Sequence, residues 1–544
     1  MTTSIKNRFG TALNGLYLIC VALFALALAY KHVQLAFNEY PVEYNETGIL
    51  VTTATILEGG NPFSRESQPA RISVYPVLFS VIVAPLAEVF GNTLELHRVV
   101  GGLFILASCV LVYCLSRRSK VPPAESFAAA VLYYAALLYY STPVASPNGL
   151  GLFLFLLAIA VPWIYQFSAR SLLVSIVLGI LAFYTKQYFI AALGYIALYL
   201  FLAQSKRRAL YFGSAAAAIF LVTAVLVAYT YPYYWQNTYF VPLRGSSIST
   251  SYEHVIVQSE EFLRIYYPII IILVAALVYH WRLRSTRRAG LAQHSMDVPS
   301  TNLFDLNKPL LARKPHYIGV CLACSVAIVA LILGPNKGNH LTYFFQLITP
   351  FLVIFTLILS SDIQRGRWPF RVLIVWALGT SYSILPTNYS VNDEGWLTVK
   401  RKLAGAQDVF SSTLALHELV ERNLPIHNSG ATVYFIFGHT DFPLLGKKES
   451  GESHAEIWER HVRLVQRKIT NQEFDLLVLD NWQRLPQSLT ENGVDTNTLL
   501  SQYYKKTRPP VKLSLASHPN GGKYTLHFWE PIRPNSNAKE GIGN

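Results

Sequence analysis

Long stretches almost free of charge recur through the first 386 residues, at about 12–30, 75–91, 97–116, 124–141, 150–167, 171–186, 188–204, 209–231, 265–281, 316–333, 342–360 and 369–386. A helix needs roughly 17–25 apolar residues to cross a bilayer. A water-soluble core cannot hide about a dozen such helices, because soluble domains carry about a quarter charged residues. Here only 14% are charged and 52% are hydrophobic. The expected fold is mainly α: a polytopic transmembrane bundle of about 11–13 helices, followed by an α/β domain on the extracytoplasmic side.

The net charge of +14 could suggest nucleic acid. The basic residues instead form short clusters between apolar runs: Arg117/Arg118/Lys120, Lys206/Arg207/Arg208, Arg282/Arg284/Arg287/Arg288 and Arg365/Arg367. That is how cytoplasmic loops are marked, so membrane lipid is the expected partner and nucleic acid is not. The first run follows Lys6 and Arg8 without an Ala-x-Ala-type cleavage site and reads as a retained signal anchor. If 75–91 and 97–116 both crossed, the Arg117 cluster would face outward. The run 75–91, broken by Pro76 and Pro85, is therefore expected to lie as a half-helix against the bundle. The stretches 31–74, 142–149, 232–262 and 334–341 then share one outer side with everything after about 387. All five cysteines lie inside apolar runs, and Cys321-Leu-Ala-Cys324 within a helical span fits packing better than a metal site.

Two domains follow from this reading, 1–386 in the membrane and 387–544 outside it. In the second, helical patterns at about 412–423 and 454–469 interleave with strand-like runs Thr432–Gly438 and Phe474–Asp480, and Lys523–Trp529 reads as a later strand.

The first outer loop, 31–74, holds Glu39, Glu43, Glu46, Glu58 and Glu66. Glu43 and Glu46 are three apart, so a helix through both would place the two carboxylates on one face. One could then act as a base while the other orients it or shares a metal. Lys186, at the end of a span, is the cation best placed for an anionic substrate, since an ionisable residue in a membrane helix is expensive to keep. His340, Lys337, Arg244 and Arg71 are the other candidate cations. Tyr184, Tyr188, Tyr233, Tyr234, Trp235 and Tyr239 could stack on a sugar or form an interfacial belt. There is no Walker motif, no Gly-x-Ser-x-Gly and no His-Glu-x-x-His.

The loop reads Pro41-Val42-Glu43-Tyr44-Asn45-Glu46, runs into an apolar helix and ends Glu58-Gly59-Gly60-Asn61-Pro62-Phe63. Tyr75-Pro76, Phe90-Gly91-Asn92 and His97-Arg98 follow, then Thr142-Pro143, Ser146-Pro147-Asn148, Tyr184-Thr185-Lys186-Gln187-Tyr188 and Gly338-Asn339-His340 with Tyr343 to Gln346. In this order they resemble the GT-C superfamily of polytopic glycosyltransferases, in the bacterial branch near the protein O-mannosyltransferases and lipid A aminoarabinose transferases. The resemblance covers most of the membrane region. The sequence departs from that pattern with Glu43 where Asp is commoner, Asn45 and Thr47 where Gly is commoner, Val77 where a second Pro is usual, and Ser146-Pro147-Asn148 in place of a second acidic motif.

The resemblance implies inverting transfer of a sugar from a polyprenyl-phosphate donor to a lipid, glycan or protein acceptor, in a bacterial inner membrane. It implies Glu46 as first and Glu43 as second choice for the base. Lys186, His340, Lys337, Arg244 and Arg71 are implied at the donor phosphate, and Tyr75, Asn148, Gln187, Asn339 and Tyr343 along the substrate. No organic cofactor is implied. A divalent metal stays open, because Asn148 offers only a neutral oxygen. The rival readings are a flippase for lipid-linked glycans and a non-catalytic membrane protein with a partner-binding outer domain.

Overall fold

The computed structural model describes residues 2–43, 45–64, 71, 73, 75–139, 144–240, 252–291, 316–333, 342–361, 367–383, 385, 393–428, 454–480, 496–515 and 522–532. The membrane region runs α1 (Thr2–Ala36), α2 (Glu46–Leu57), α3 (Leu78–Phe90), α4 (Leu94–Arg118), α5 (Pro123–Tyr139), α6 (Asn148–Ile164) and α7 (Ala169–Phe183). It continues with α8 (Ala191–Tyr199), α9 (Lys206–Thr230), α10 (Tyr252–Leu291), α11 (Tyr317–Ile328), α12 (Thr349–Ser361) and α13 (Arg367–Ser383). Short 3-10 or π turns extend α8, α11 and α12, so that α8 belongs to one rod, Gln187–Gln204.

Among the described residues five helical segments are long and apolar enough to cross a membrane: Thr11–Ala36, Leu94–Arg118, Gln187–Gln204, Lys206–Thr230 and Val255–Tyr279. Their outward side chains are apolar. Leu16, Leu23 and Leu26 on α1 and Leu210, Leu221 and Leu226 on α9 are all exposed, a surface that suits hydrocarbon and not water. The protein is an integral membrane protein. The shorter α5 sits at the centre, with Ala128 through Leu138 buried on every side. Helix α3 has 13 residues, about 20 Å at about 1.5 Å each, too short for a hydrocarbon layer about 30 Å thick. It packs along α2, and its Leu78 N–H donates to the Tyr184 carbonyl at the end of α7.

Local chemistry sets the helix ends that matter. The Thr93 hydroxyl accepts from Leu96 N–H and opens α4. Gly91, at φ +89°, closes α3 in a backbone region that favours glycine. A Cβ on Gly149 would fall 2.5 Å from the Gly101 carbonyl oxygen. Only glycine there lets α6 cross α4 closely, which brings Asn148 near the start of α4.

The C-terminal domain contains α14 (Asp393–Leu403), β1 (Val409–Ser411), α15 (Leu416–Glu421), β2 (His427–Asn428), α16 (His454–Thr470), β3 (Leu476–Asp480), α17 (Thr496–Tyr503), β4 (Tyr504–Lys506), β5 (Val511–Leu515) and β6 (Gly522–Pro531). The sheet order is β2-β1-β3-β6, with β4 and β5 along the far edge of β6. Strand β1 is parallel to β2 and β3, and β6 is antiparallel to β3, β4 and β5. Both the Phe474–Asp480 and Lys523–Trp529 runs fall on observed strands, while Thr432–Gly438 lies outside the described residues.

This domain shares a core with the membrane region. Leu35, Tyr40, Val42, Leu50, Leu94 and Ala145 pack with Trp396, Val399, Leu414, Leu419, Val478 and Leu526. Trp396 stacks on Tyr40 at 5.6 Å and 5°, and the Thr47 hydroxyl donates to the Thr413 carbonyl at 2.6 Å. The sandwich buries α2 on nearly all sides.

Candidate active site

Helix α2 begins at Glu46, so Glu43 stands in the turn before it and the two glutamates do not share a helical face. Their surroundings differ completely. Glu46 is fully buried, and Arg98 grips it from α4 with Nε on Oε1 and Nη2 on Oε2, each at 2.8 Å. Oε1 also accepts Ala145 N–H at 2.7 Å, while Oε2 accepts Val42 N–H at 2.7 Å and Glu43 N–H at 3.2 Å. Five donors meet a carboxylate with about four lone-pair sites. Burial alone would raise this carboxyl, but the charge and hydrogen bonds of Arg98 outweigh it and hold Glu46 below the usual carboxylate range. Arg98 is just as occupied, donating to the carbonyls of Leu35, Asn38 and Tyr40. The knot joins the end of α1, the start of α2, the start of α4 and the chain before α6.

Glu43 is half-buried and keeps capacity to accept. Its Oε2 accepts Asn45 N–H at 2.7 Å and its Oε1 accepts Asn45 Nδ2–H at 2.9 Å, one partner per oxygen among the described residues. Asn45, where the resembled family favours glycine, is therefore what aims this carboxylate. Burial, reinforced by the Glu46 charge, lifts the Glu43 carboxyl to about 7 against the pull of Asn45 and Lys186.

Lys186 lies between α7 and the 3-10 turn Gln187–Ile190. Its Nζ donates to Asn148 Oδ1 at 2.7 Å and sits 5.4–5.8 Å from the ring centres of Tyr188, Tyr75 and Tyr343. An ammonium has three donors, so two remain for a ligand among the described residues. Burial lowers Lys186 to about 8, with the Glu43 charge acting in the opposite sense. The Tyr188 hydroxyl donates to Gln346 Oε1 at 2.7 Å, and its ring meets Tyr343 edge-on at 4.7 Å. Tyr524, on β6, approaches from the C-terminal domain: burial and then the charge of Glu43 push its phenol above the ordinary value.

Of the residues expected from sequence, Glu43, Lys186, Tyr75, Asn148 and Tyr343 gather here, with Glu46 directly behind. Gln187 turns aside to the Thr238 carbonyl, and Arg71 pairs with Glu58 at an exposed position. Lys337, Asn339, His340 and Arg244 lie outside the described residues. Sequence reasoning missed Arg98 as the partner of Glu46, although an arginine at the start of an otherwise apolar helix was itself a signal. It also missed Asn45 and Tyr524. Among the described residues no three His, Cys, Asp or Glu side chains converge to hold a metal. Glu43 and an Asn148 oxygen already taken by Lys186 make a poor donor set for a divalent cation, and no step is routed through one.

No protein-family model matches the sequence, and no curated protein does. Among solved structures, the chain is similar to ArnT from Cupriavidus metallidurans bound to undecaprenyl phosphate, with 13% identity and a TM-score of 0.45 over 85% of this chain and 81% of that one. It is also similar to the same enzyme in the apo state, with 14% identity and a TM-score of 0.43 over 84% and 80%.

Proposed function

We propose that the chain is a membrane glycosyltransferase of GT-C type that moves a sugar from a polyprenyl-phosphate donor to an acceptor hydroxyl with inversion. The observation that carries this reading is a carboxylate with spare acceptor capacity beside an aromatic-caged lysine, at the polar end of an apolar bundle and under a folded outer domain. Glu43 takes the proton of the acceptor hydroxyl, and a carboxyl near 7 is matched to that task at neutral pH. The acceptor oxygen forms its bond to the anomeric carbon from the face opposite the phosphate. The carbon–oxygen bond to phosphate breaks, and polyprenyl phosphate leaves with the electron pair. Lys186 holds the donor phosphate and meets the charge that develops on it. Tyr75, Tyr188 and Tyr343 wall the sugar and keep water from competing as acceptor. Glu46 and Arg98 hold the loop that carries Glu43.

The site faces the extracytoplasmic side in this reading, because the basic clusters mark the other end. Purified protein in lipid, supplied with a polyprenyl-phosphate sugar and an acceptor extract, is expected to release polyprenyl phosphate, and Glu43→Gln to release none while folding normally. Full release by Glu43→Gln would refute the assignment of the base. Cysteine labelling at positions 93 and 119 tests the orientation, with outward labelling at 119 contrary to it.

A further inference from the structure

The end of the bundle away from Glu43 holds a second buried ion pair that the transfer reaction does not use. Arg371, in the first turns of α13, donates through Nε to Glu125 Oε1 at 2.8 Å, and its Nη2 lies 2.7 Å from the same oxygen. Its Nη1 donates to Asn14 Oδ1 on α1. The guanidinium lies 5.1 Å from the Tyr17 ring centre and 5.2 Å from that of Trp368. Glu125 and Arg371 are each only 8% exposed.

A cavity of about 530 Å³ opens beside this pair, lined by Asn14, Leu18, Pro122, Glu125, Phe127 and Arg371 among others. Glu125 Oε2 is buried and has no hydrogen-bond partner among the described residues. A buried carboxylate oxygen without a donor is rare in a stable fold, and here it belongs to a side chain that lines a cavity.

The chemistry narrows the ligand. Three of the five Arg371 N–H groups serve Glu125 and Asn14, and the opposite charges of the pair offset each other, so the open Glu125 Oε2 is the main feature it offers a ligand. That oxygen suits a ligand N–H. Leu18, Phe127, Pro122 and Pro123 make the walls apolar, and Leu18 and Ile19 continue as the exposed apolar face of α1. Lys120 is exposed on the turn that leads from α4, two residues before Pro122, which lines the cavity.

We propose that this cavity is a lipid site for a phosphoethanolamine headgroup, whose primary ammonium donates to Glu125 Oε2 while its phosphate meets Lys120 and its chains run along the exposed apolar face of α1. A choline headgroup has no N–H to donate, and a glycerol headgroup brings no cation to the carboxylate. The site does not depend on the transferase reading, and failure of the transfer assay leaves it standing.

The test is native mass spectrometry of the full chain released from vesicles with equal parts phosphatidylethanolamine, phosphatidylcholine and phosphatidylglycerol. One phosphatidylethanolamine is expected to be retained about tenfold over phosphatidylcholine, as one charge-assisted hydrogen bond allows. Glu125→Gln is expected to remove the preference. Because that change strands Arg371 and could impair folding, Leu18→Trp, which fills the cavity and leaves the ion pair, is expected to remove it too. Equal retention of the lipids by the native chain, or an undiminished preference in Leu18→Trp, would overturn the proposal. So would displacement of the lipid by an equal concentration of water-soluble O-phosphoethanolamine.

Discussion

Glu43 and Glu46 sit three residues apart at the entry to α2, yet among the described residues one accepts a single hydrogen bond on each oxygen and the other accepts five in all. Glu46 is closed on every side by Arg98 and three backbone N–H groups. Its ionised form is so well solvated by protein that a proton has little to gain there. Among the described residues Glu43 is held by Asn45, feels the charge of Lys186, and is desolvated enough that its affinity for a proton is brought to neutral pH. Saturation makes a carboxylate structural, and incomplete satisfaction in a half-buried place makes one reactive.

The comparison is broken most directly by exchanging the fates of the two residues. Glu43→Gln is expected to lower transfer by about 10²–10⁴-fold, the usual worth of a general base, with the melting temperature in detergent unchanged. Glu46→Gln is expected to act on the fold instead, losing about 3–5 kcal/mol because Arg98 is left buried without its anion, while folded molecules keep most of their turnover. If Glu46→Gln melted like the native chain yet were inactive, the two roles would have to be reversed.

Lys186→Met is expected to reduce kcat/KM by about 10²-fold, the scale of one electrostatic contact to a developing charge. Its pH profile sharpens the comparison further. Glu43 must be deprotonated and Lys186 protonated, so kcat/KM should rise with pH through about 7 and fall again beyond about 8. Lys186→Met should keep the rising limb and lose the falling one. Thr47→Val, which removes the hydrogen bond from α2 to the Thr413 carbonyl, is expected to cost only about 1 kcal/mol of stability. A larger loss in turnover than in stability would show that the outer domain's seating also aims Glu43.

Much of the membrane architecture was legible. The run 97–116 became α4, 209–231 became α9 and the Pro-broken 75–91 became the short α3, because hydropathy reports a solvent and a helix is the way a single segment can satisfy its own backbone in lipid. Some edges moved by a few residues and others by much more: α10, Tyr252–Leu291, extends well beyond 265–281 at both ends. Within the site, Glu43, Lys186, Asn148, Tyr75 and Tyr343 were legible from residue type and motif order. The division of labour between the glutamates was not, since it depends on Arg98, which lies 52 positions beyond Glu46. The pairing of Glu125 with Arg371 spans 246 positions and left no local trace at all.

The sequence by itself determined that this chain lives in lipid and that a mixed α/β region follows its apolar helices. Those properties are local sums of hydropathy and charge, readable over a window of residues. Only the tertiary structure decided which carboxylate is locked and which stays open, that Asn45 holds both oxygens of Glu43, and that the C-terminal domain shares a core with the segment around α2. Those outcomes depend on which distant donors reach a given oxygen, and a one-dimensional pattern carries no record of that.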